Sequence, residues 1–206
     1  MTDTPAPLVS APPVLRDRAG LQATVARLGR EISRDHPDGV LLVGVLKGAL
    51  IFLADLARAI TDIDVQFDFM AISRYAPDSG RVRILKDVEI DVTGRDVIIV
   101  EDMVDTGLTL AYLRRHLEER SPRRVEVCTL LDRSARRIVP TEVRYVGEEI
   151  GGEVFVLGFG LHHLELYRNL PFIVEADRTV LRERPDAYVD VLYPRRAGRP
   201  AGARPA

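Results

Sequence analysis

Three short apolar runs constrain the fold of this chain more than any other feature. They are Val40–Leu46, 97–100 and 125–131; the first two contain no polar side chain, and the third is mainly apolar. Strands that read this way are typical of a parallel sheet that is covered by helices on both faces. Helical patterns separate the runs along the chain, which predicts an α/β fold with a mainly parallel sheet.

Helical spacing and alternation predict the remaining elements. Leu21, Val25, Leu28 and Ile32 recur at the spacing of one helix face, with charged residues between them. Further helices are predicted over 49–60 and 109–120, and shorter strands over 143–147 and 154–158. Residues 65–71 alternate, which predicts a half-buried strand with Val65, Phe67, Phe69 and Ala71 on one face. Residues 73–83 read as a long polar loop, and 84–92 as a strand pair or an arm.

The length and composition predict one domain with short tails. The chain has 206 residues, of which 46% are hydrophobic and 29% charged, with a net charge of −2. We expect a disordered N-terminal tail over 1–14, a domain over 15–194 and a disordered tail over 195–206. The charge favours neither general nucleic-acid binding nor membrane binding. The single cysteine, the lack of a signal peptide and the lack of an apolar run that could span a bilayer favour a cytoplasmic protein.

An open α/β sheet binds its ligands beyond the carboxyl ends of its strands. Functional residues are therefore expected just after Leu46, Val100, Leu131 and Val156. After Val100 the chain continues Glu101-Asp102-Met103-Val104-Asp105-Thr106-Gly107-Leu108-Thr109 before the next helix. Backbone amides at 106–109, next to a helix N-terminus, suit a phosphate group.

The three carboxylates of this turn need a separate explanation, because they would repel a phosphate. Glu101 and Asp102 could bind vicinal ribose hydroxyls, either directly or through Mg²⁺. Asp105 would then lie nearer the reacting centre and could act as a base. The alternative is that Asp105 and Thr106 only cap the helix, but capping does not account for five polar residues within nine positions. The turn is neither a Walker A loop nor a Rossmann glycine motif.

Residues 97–110 resemble the phosphoribosyl-pyrophosphate signature of the type I phosphoribosyltransferase family, in the form found in hypoxanthine-guanine phosphoribosyltransferases. Four further segments resemble this family in the same order, and together the matches run from about residue 21 to 171. They are Leu46-Lys47-Gly48-Ala49, Arg83-Ile84-Leu85-Lys86-Asp87, the family's base-binding segment in two pieces at 145–147 and 156–161, and Tyr167-Arg168-Asn169-Leu170-Pro171. The resemblance implies the type I phosphoribosyltransferase fold, a mainly parallel twisted sheet flanked by helices with a small hood formed from terminal segments.

The resemblance also implies an activity and its residues. Phosphoribosyl pyrophosphate and a 6-oxopurine would give IMP or GMP, with Mg²⁺ as cofactor, in a homodimer or homotetramer. Asp105 would be the catalytic base, and the peptide bond before Lys47 can be cis. The loop 73–83 would close over the site. The implied substrate-binding residues are Lys47, Gly48, Arg74, Tyr75, Glu101, Asp102, Thr106, Gly107, Leu108, Thr109, Arg133, Phe155, Val156 and Arg168, and the implied metal-binding residues are Glu101, Asp102 and His162.

This sequence departs from the family at several of these positions. Arg133 stands where the family usually has the lysine that contacts the 6-oxo group, and His162 stands where it has an aspartate near a second Mg²⁺. Arg74 precedes Tyr75 where a serine is usual, and Glu148 replaces an aromatic residue. Histidine is a poor ligand for Mg²⁺, so the metal could be held through water, or His162 could meet pyrophosphate. A regulatory protein that only binds the sugar pyrophosphate or a nucleotide, and a transferase for xanthine or another base, remain alternatives.

Overall fold

The structure, a computed structural model, describes residues 9–73 and 83–193. The predicted α/β class is confirmed. Nine strands are present in the described part of the chain: β1 Val14–Arg16, β2 Val40–Leu46, β3 Val65–Ser73, β4 Arg83–Lys86, β5 Asp96–Val104, β6 Arg124–Asp132, β7 Tyr145–Glu149, β8 Val156–Leu157 and β9 Ile173–Glu175. The helices described there are α1 Arg18–Asp35, α2 Leu50–Ala59, α3 Leu108–Glu118, α4 Arg178–Glu183 and α5 Val189–Leu192, with a 3₁₀ turn at Ser134–Arg136.

The central sheet has six strands in the order β4-β3-β2-β5-β6-β7, and only β4 runs antiparallel to its neighbour. Its central strands send alternate side chains to opposite faces. Val40 and Leu42 pack against α1 and α2, whereas Leu41 and Val43 pack on the side of α3. Because both faces are covered, these strands are apolar at nearly every position, as the sequence predicts.

A second sheet of three antiparallel strands, in the order β1-β9-β8, is formed from the two terminal parts of the domain. We call it the hood. Glu148, at the position where the family has an aromatic residue, forms an ion pair with Arg16 and so links the end of β1 to β7. None of the helices in residues 9–73 and 83–193 is long and apolar enough to cross a membrane.

Several predicted boundaries differ from the structure. β5 continues to Val104 instead of ending at Val100, because its partner β6 extends as far and pairs Val104 with Asp132. In β3 the buried residues are Asp68 and Met70, whereas Phe67 is 54% exposed. Asp68 is buried because it accepts the amides of Glu89 and Ile90 and the Lys86 ammonium. β8 lies in the hood, so Val156 does not end a strand of the central sheet.

The predicted tails are mostly outside the described residues, which begin at Val9 and end at Tyr193. Val14, which was assigned to the N-terminal tail, is the first residue of β1. Just before it, the carbonyl of Pro13 accepts a hydrogen bond of 2.9 Å from the amide of Glu175.

The amino edge of the central sheet carries a buried charged network. Asp96 accepts hydrogen bonds from His36 Nδ1 at 2.9 Å, Arg123 Nε at 2.6 Å and Arg124 Nη2 at 2.7 Å. The side chains of His36 and Asp96 are fully buried. Burial alone would raise the pKa of Asp96, but these three partners outweigh it and hold the pKa well below its usual range. The other nitrogen of His36 lies 3.0 Å from the Tyr145 hydroxyl and 2.9 Å from a Glu126 oxygen.

Candidate active site

A cavity of about 330 Å³ lies at the carboxyl edge of the central sheet, where open α/β sheets place their ligand sites. Its walls come from the ends of β2, β3 and β5, from the start of α3, and from the turn before β9. Of the residues predicted to bind substrate or metal, the cavity is lined by Lys47, Gly48, Glu101, Asp102, Asp105, Thr106, Gly107, Thr109, His162 and Arg168.

The acidic wall of the cavity consists of Glu101 and Asp102, which lie near the carboxyl end of β5. Glu101 is buried, and Asp102 accepts a hydrogen bond of 2.8 Å from the amide of Met103. The loop after β2 approaches this wall so closely that a β-carbon on Gly48 would lie 1.8 Å from an Asp102 oxygen. A larger residue at 48 would displace the Asp102 carboxylate, so the Lys47-Gly48 loop and the acidic wall form one surface.

The loop from Asp105 to Gly107 leads into α3. Gly107 is the N-cap residue, with φ of +82°, and no side chain caps the helix by a hydrogen bond. A β-carbon on Gly107 would also lie 2.8 Å from the carbonyl of Val139. The loop is fixed by its own backbone, because the Thr106 carbonyl accepts the amides of Ile138 at 2.9 Å and Val139 at 3.1 Å. Asp105 is therefore not explained as a helix cap.

Asp105 lies between two arginines. Its Oδ1 is 3.2 Å from Arg136 Nε, and its Oδ2 is 3.7 Å from Arg133 Nη1. Neither contact has hydrogen-bond geometry, and the buried Oδ1 has no hydrogen-bond partner in the described part of the protein. An ionised carboxylate with an unsatisfied oxygen beside a cavity is suited to accept a proton or a hydrogen bond from a ligand.

The cavity is also lined by two cations, Lys47 and Arg168, which the sequence predicts as pyrophosphate contacts. Both are paired with Glu165: Lys47 Nζ lies 3.0 Å from Oε2, and Arg168 Nη2 lies 3.0 Å from Oε1. The hydrogen bonds from Arg168 and Lys47 lower the pKa of Glu165 to about 2. Arg168 also donates to the carbonyl of Gly160 at 2.6 Å.

Glu165 is a site residue that the sequence reasoning missed. It reaches the cavity through a turn in which Leu164 and Glu165 both have positive φ, at 46° and 65°. No motif marks such a turn, because neither residue is a glycine. His162 lies on the same turn, lines the cavity, and accepts a hydrogen bond of 3.2 Å from the Glu165 amide.

The residues predicted to contact the base lie outside this cavity. Arg133 is only 2% exposed; it donates to the carbonyl of Val154, and its Nε is buried without a hydrogen-bond partner among the described residues. Phe155 and Val156 belong to the hood side, where Val156 is buried in β8. Leu108 is 46% exposed at the start of α3 and does not line the cavity. Arg74 and Tyr75 lie outside the described residues, as does most of the loop 73–83.

The comparisons with known proteins agree with this geometry. Residues 15–165 match the phosphoribosyl transferase domain family. The chain belongs to this family.

Several relatives and solved structures share most of the chain. It is 47% identical over 180 residues to a hypoxanthine-guanine phosphoribosyltransferase of Mycobacterium avium, covering 82% of this chain and 88% of the relative. It is 44% identical over 151 residues to one from Streptococcus pyogenes serotype M3, covering 71% and 83%. A crystal structure of a hypoxanthine-guanine phosphoribosyltransferase from Bacillus anthracis is 39% identical, with a TM-score of 0.77, over 82% of this chain and 100% of that one.

The resemblance inferred from residues 97–110 and the four further segments is thus confirmed, and so is the fold that it implied. The hood, expected from terminal segments, is present as the sheet β1-β9-β8. The peptide bond between Leu46 and Lys47 is cis, as the family resemblance implied.

A divalent cation fits the acidic wall. In residues 9–73 and 83–193, no three His, Cys, Asp or Glu side chains are grouped as a metal site. Mg²⁺, however, commonly takes only one or two carboxylates and completes its shell with water and substrate phosphates. Glu101 and Asp102 provide two hard oxygen donors among the residues that line the cavity.

Proposed function

We propose that this protein transfers the 5-phosphoribosyl group of phosphoribosyl pyrophosphate to hypoxanthine or guanine, giving IMP or GMP and pyrophosphate. One observation carries the proposal. A single stretch, residues 97–110, supplies an acidic wall and a helix N-terminus to one cavity, and Lys47 and Arg168 line the same cavity. The names of the relatives from Mycobacterium avium and Bacillus anthracis support the same activity.

The sugar phosphate is bound by two parts of this stretch. The amides at 106–109 and the N-terminus of α3 hold the 5-phosphate, because free N–H groups and the helix dipole both favour an anion. The carboxylates of Glu101 and Asp102 take the ribose hydroxyls. The pyrophosphate lies against Lys47 and Arg168, whose cations match its charge.

Glu101 and Asp102 would also hold Mg²⁺. When bound, the ion neutralises charge on the departing pyrophosphate. His162 stands where a second cation would be expected. Because imidazole is a poor ligand for this ion, His162 would act through water or contact pyrophosphate itself.

In the reaction, the bond between ribose C1 and the pyrophosphate oxygen breaks, and a bond from C1 to a purine nitrogen forms. The proton of that nitrogen passes to Asp105, whose Oδ1 has no other hydrogen-bond partner in the described protein. Arg133 supplies a donor for the 6-oxo group, which suits a carbonyl better than an amino group. Phe155 stacks on the base, and the backbone of Val156 meets its edge. The protein is expected to work in the cytoplasm. It is also expected to form a homodimer or homotetramer, and light scattering would check this oligomeric state.

A panel of bases tests the proposal. Purified protein would be incubated with phosphoribosyl pyrophosphate, Mg²⁺ and, separately, hypoxanthine, guanine, xanthine, adenine and uracil, and pyrophosphate release would be followed. We expect turnover with hypoxanthine and guanine. Turnover with xanthine or uracil alone would identify that base as the substrate in place of hypoxanthine or guanine. Binding of the sugar pyrophosphate without product for every base would favour a regulatory binding protein.

A further inference from the structure

Arg178 begins α4, beyond the residues that match the family, and it contacts Phe155. Its guanidinium carbon lies 5.1 Å from the centre of the Phe155 ring. The imidazole of His163 meets the same ring edge-on, with centroids 6.1 Å apart. The guanidinium therefore covers one face of the aromatic side chain that is proposed to stack on the base.

The backbone holds Arg178 beside Phe155. The amide of Ala176 donates a 2.7 Å hydrogen bond to the Phe155 carbonyl. Asp177 caps α4 by accepting the amide of Thr179 at 2.7 Å, and its own amide donates to the Tyr188 hydroxyl at 3.2 Å. The backbone of Arg178 is thus fixed, while its long side chain is exposed and can move at little cost.

A second contact links the same ring to Arg133. Arg133 donates to the carbonyl of Val154, the residue before Phe155, so the proposed contact with the 6-oxo group adjoins the proposed stacking residue. Burial lowers the pKa of Arg133, and the positive charges of Arg178 and Arg136 lower it further against the opposing effect of Asp105. The Arg178 guanidinium therefore lies over Phe155 and close enough to Arg133 for its charge to act there.

We propose that Arg178 is a base-binding residue: in the free protein its guanidinium covers a face of Phe155, and when a base is inserted at that face it packs on the outer side of the purine. This inference rests on the proposed function. A planar guanidinium stacks on aromatic rings and on nucleobases, and the exposed Arg178 side chain needs to shift only by the thickness of a base. The residue contributes to base affinity and not to binding of the sugar pyrophosphate.

The test compares three variants of the full-length protein with the wild type. R178Q removes the positive charge, and R178K keeps the charge but lacks the planar guanidinium group. R182Q is the control, because it changes an exposed arginine one turn further along α4. We expect R178Q to raise the KM for hypoxanthine and guanine roughly tenfold, with the KM for phosphoribosyl pyrophosphate within about twofold of wild type. R178K should fall between the two, and R182Q should match the wild type.

Two outcomes overturn the inference. One is that the wild type is active and that R178Q and R182Q both have the same KM for the base as the wild type. The other is a lower KM in R178Q, which would make Arg178 an obstacle to the base. An inactive wild type would instead overturn the proposed function. In that case calorimetric binding of GMP to the same variants still measures the contact, and equal affinity in R178Q and wild type would exclude it.

Discussion

The two edges of the central sheet both gather charged side chains, but they satisfy them in opposite ways. At the amino edge, Asp96 is fully buried and has three charged or polar partners within 2.9 Å. At the carboxyl edge, the Asp105 side chain is 33% exposed, its nearest cation is 3.2 Å away, and its buried oxygen has no hydrogen-bond partner in the described protein.

The difference separates a structural charge from one that is proposed to be functional. A buried carboxylate whose partners are all supplied by the fold has nothing left to offer a ligand, and removing it leaves the buried His36 and two arginines without their shared acceptor. A carboxylate with an unsatisfied oxygen on a cavity costs the fold some stability and is available for chemistry. Substitution of Asp105 is therefore expected to reduce mainly activity, and substitution of Asp96 mainly stability.

The largest effect is expected for D105N. The amide cannot accept the purine proton, so kcat should fall by roughly 10²–10⁴-fold. The KM for phosphoribosyl pyrophosphate should change little, whereas the melting temperature should fall somewhat, because the buried Arg133 and the partly exposed Arg136 lose a counter-charge at 3.7 and 3.2 Å. Steady-state kinetics and calorimetry check this. Near-normal turnover would remove Asp105 as the base.

D96N should show the opposite pattern. It leaves Arg123, Arg124 and the buried His36 without their shared carboxylate, and because the two arginines are partly exposed, the free energy of unfolding should fall by about 1–3 kcal/mol. The folded fraction should retain its kcat at 20 °C. Urea unfolding measures the loss, and D38N is the control, since Asp38 is 79% exposed and lies 3.8 Å from Arg123. A loss in D96N no larger than in D38N would contradict the structural assignment of this network.

The lowered pKa of Asp96 also predicts that the free energy of unfolding depends on pH. Because the pKa of Asp96 is lower in the folded than in the unfolded chain, its ionised form stabilises the fold above the unfolded pKa of roughly 4. That contribution is lost as the pH falls from about 5 toward the folded pKa. Unfolding in urea at pH 7, 5, 4 and 3 should therefore show a steeper acid loss for wild type than for D96N, and parallel curves would exclude Asp96 as a source of acid sensitivity.

A smaller effect is expected at Lys47 and Arg168, the two cations that line the cavity. Glu165 holds Lys47 and Arg168 where pyrophosphate is proposed to bind, and with its pKa at about 2 it is ionised at any working pH. E165Q should lower the KM for pyrophosphate in the reverse reaction by up to about fivefold, since exposed ion pairs contribute at most about 1 kcal/mol. E183Q, at an exposed position of α4, is the control. A higher KM in E165Q would mean that Glu165 instead positions the two cations.

The half of the cavity that is proposed to bind the sugar phosphate was predictable because its residues are contiguous. Residues 97–110 contain the acidic wall, the candidate base and the helix start in a single stretch, and a buried strand before a glycine turn marks them. Lys47-Gly48 was found for the same reason, after β2. Leu108 was included by its place in the motif, and its exposed side chain shows that position in a motif does not determine orientation.

The base half was less predictable because it is assembled from distant segments. Arg133 follows β6, Phe155 precedes β8, and Arg178 begins α4, so no local pattern connects them. Glu165 depends on two residues with positive φ, which the sequence does not reveal. The length of β5 was underestimated because it depends on pairing with β6 as far as Asp132.

The sequence by itself determined the α/β class, the central strands and the strand-to-helix stretch that is proposed to bind phosphate, because apolar runs and a glycine turn act over a few residues. Only the tertiary structure decided which charges are satisfied. Asp96 and Asp105 both adjoin apolar strand residues of β5, yet the fold surrounds the first with arginines and leaves the second on a cavity. The reason is physical: hydrogen bonding and burial depend on side chains that distant segments bring together.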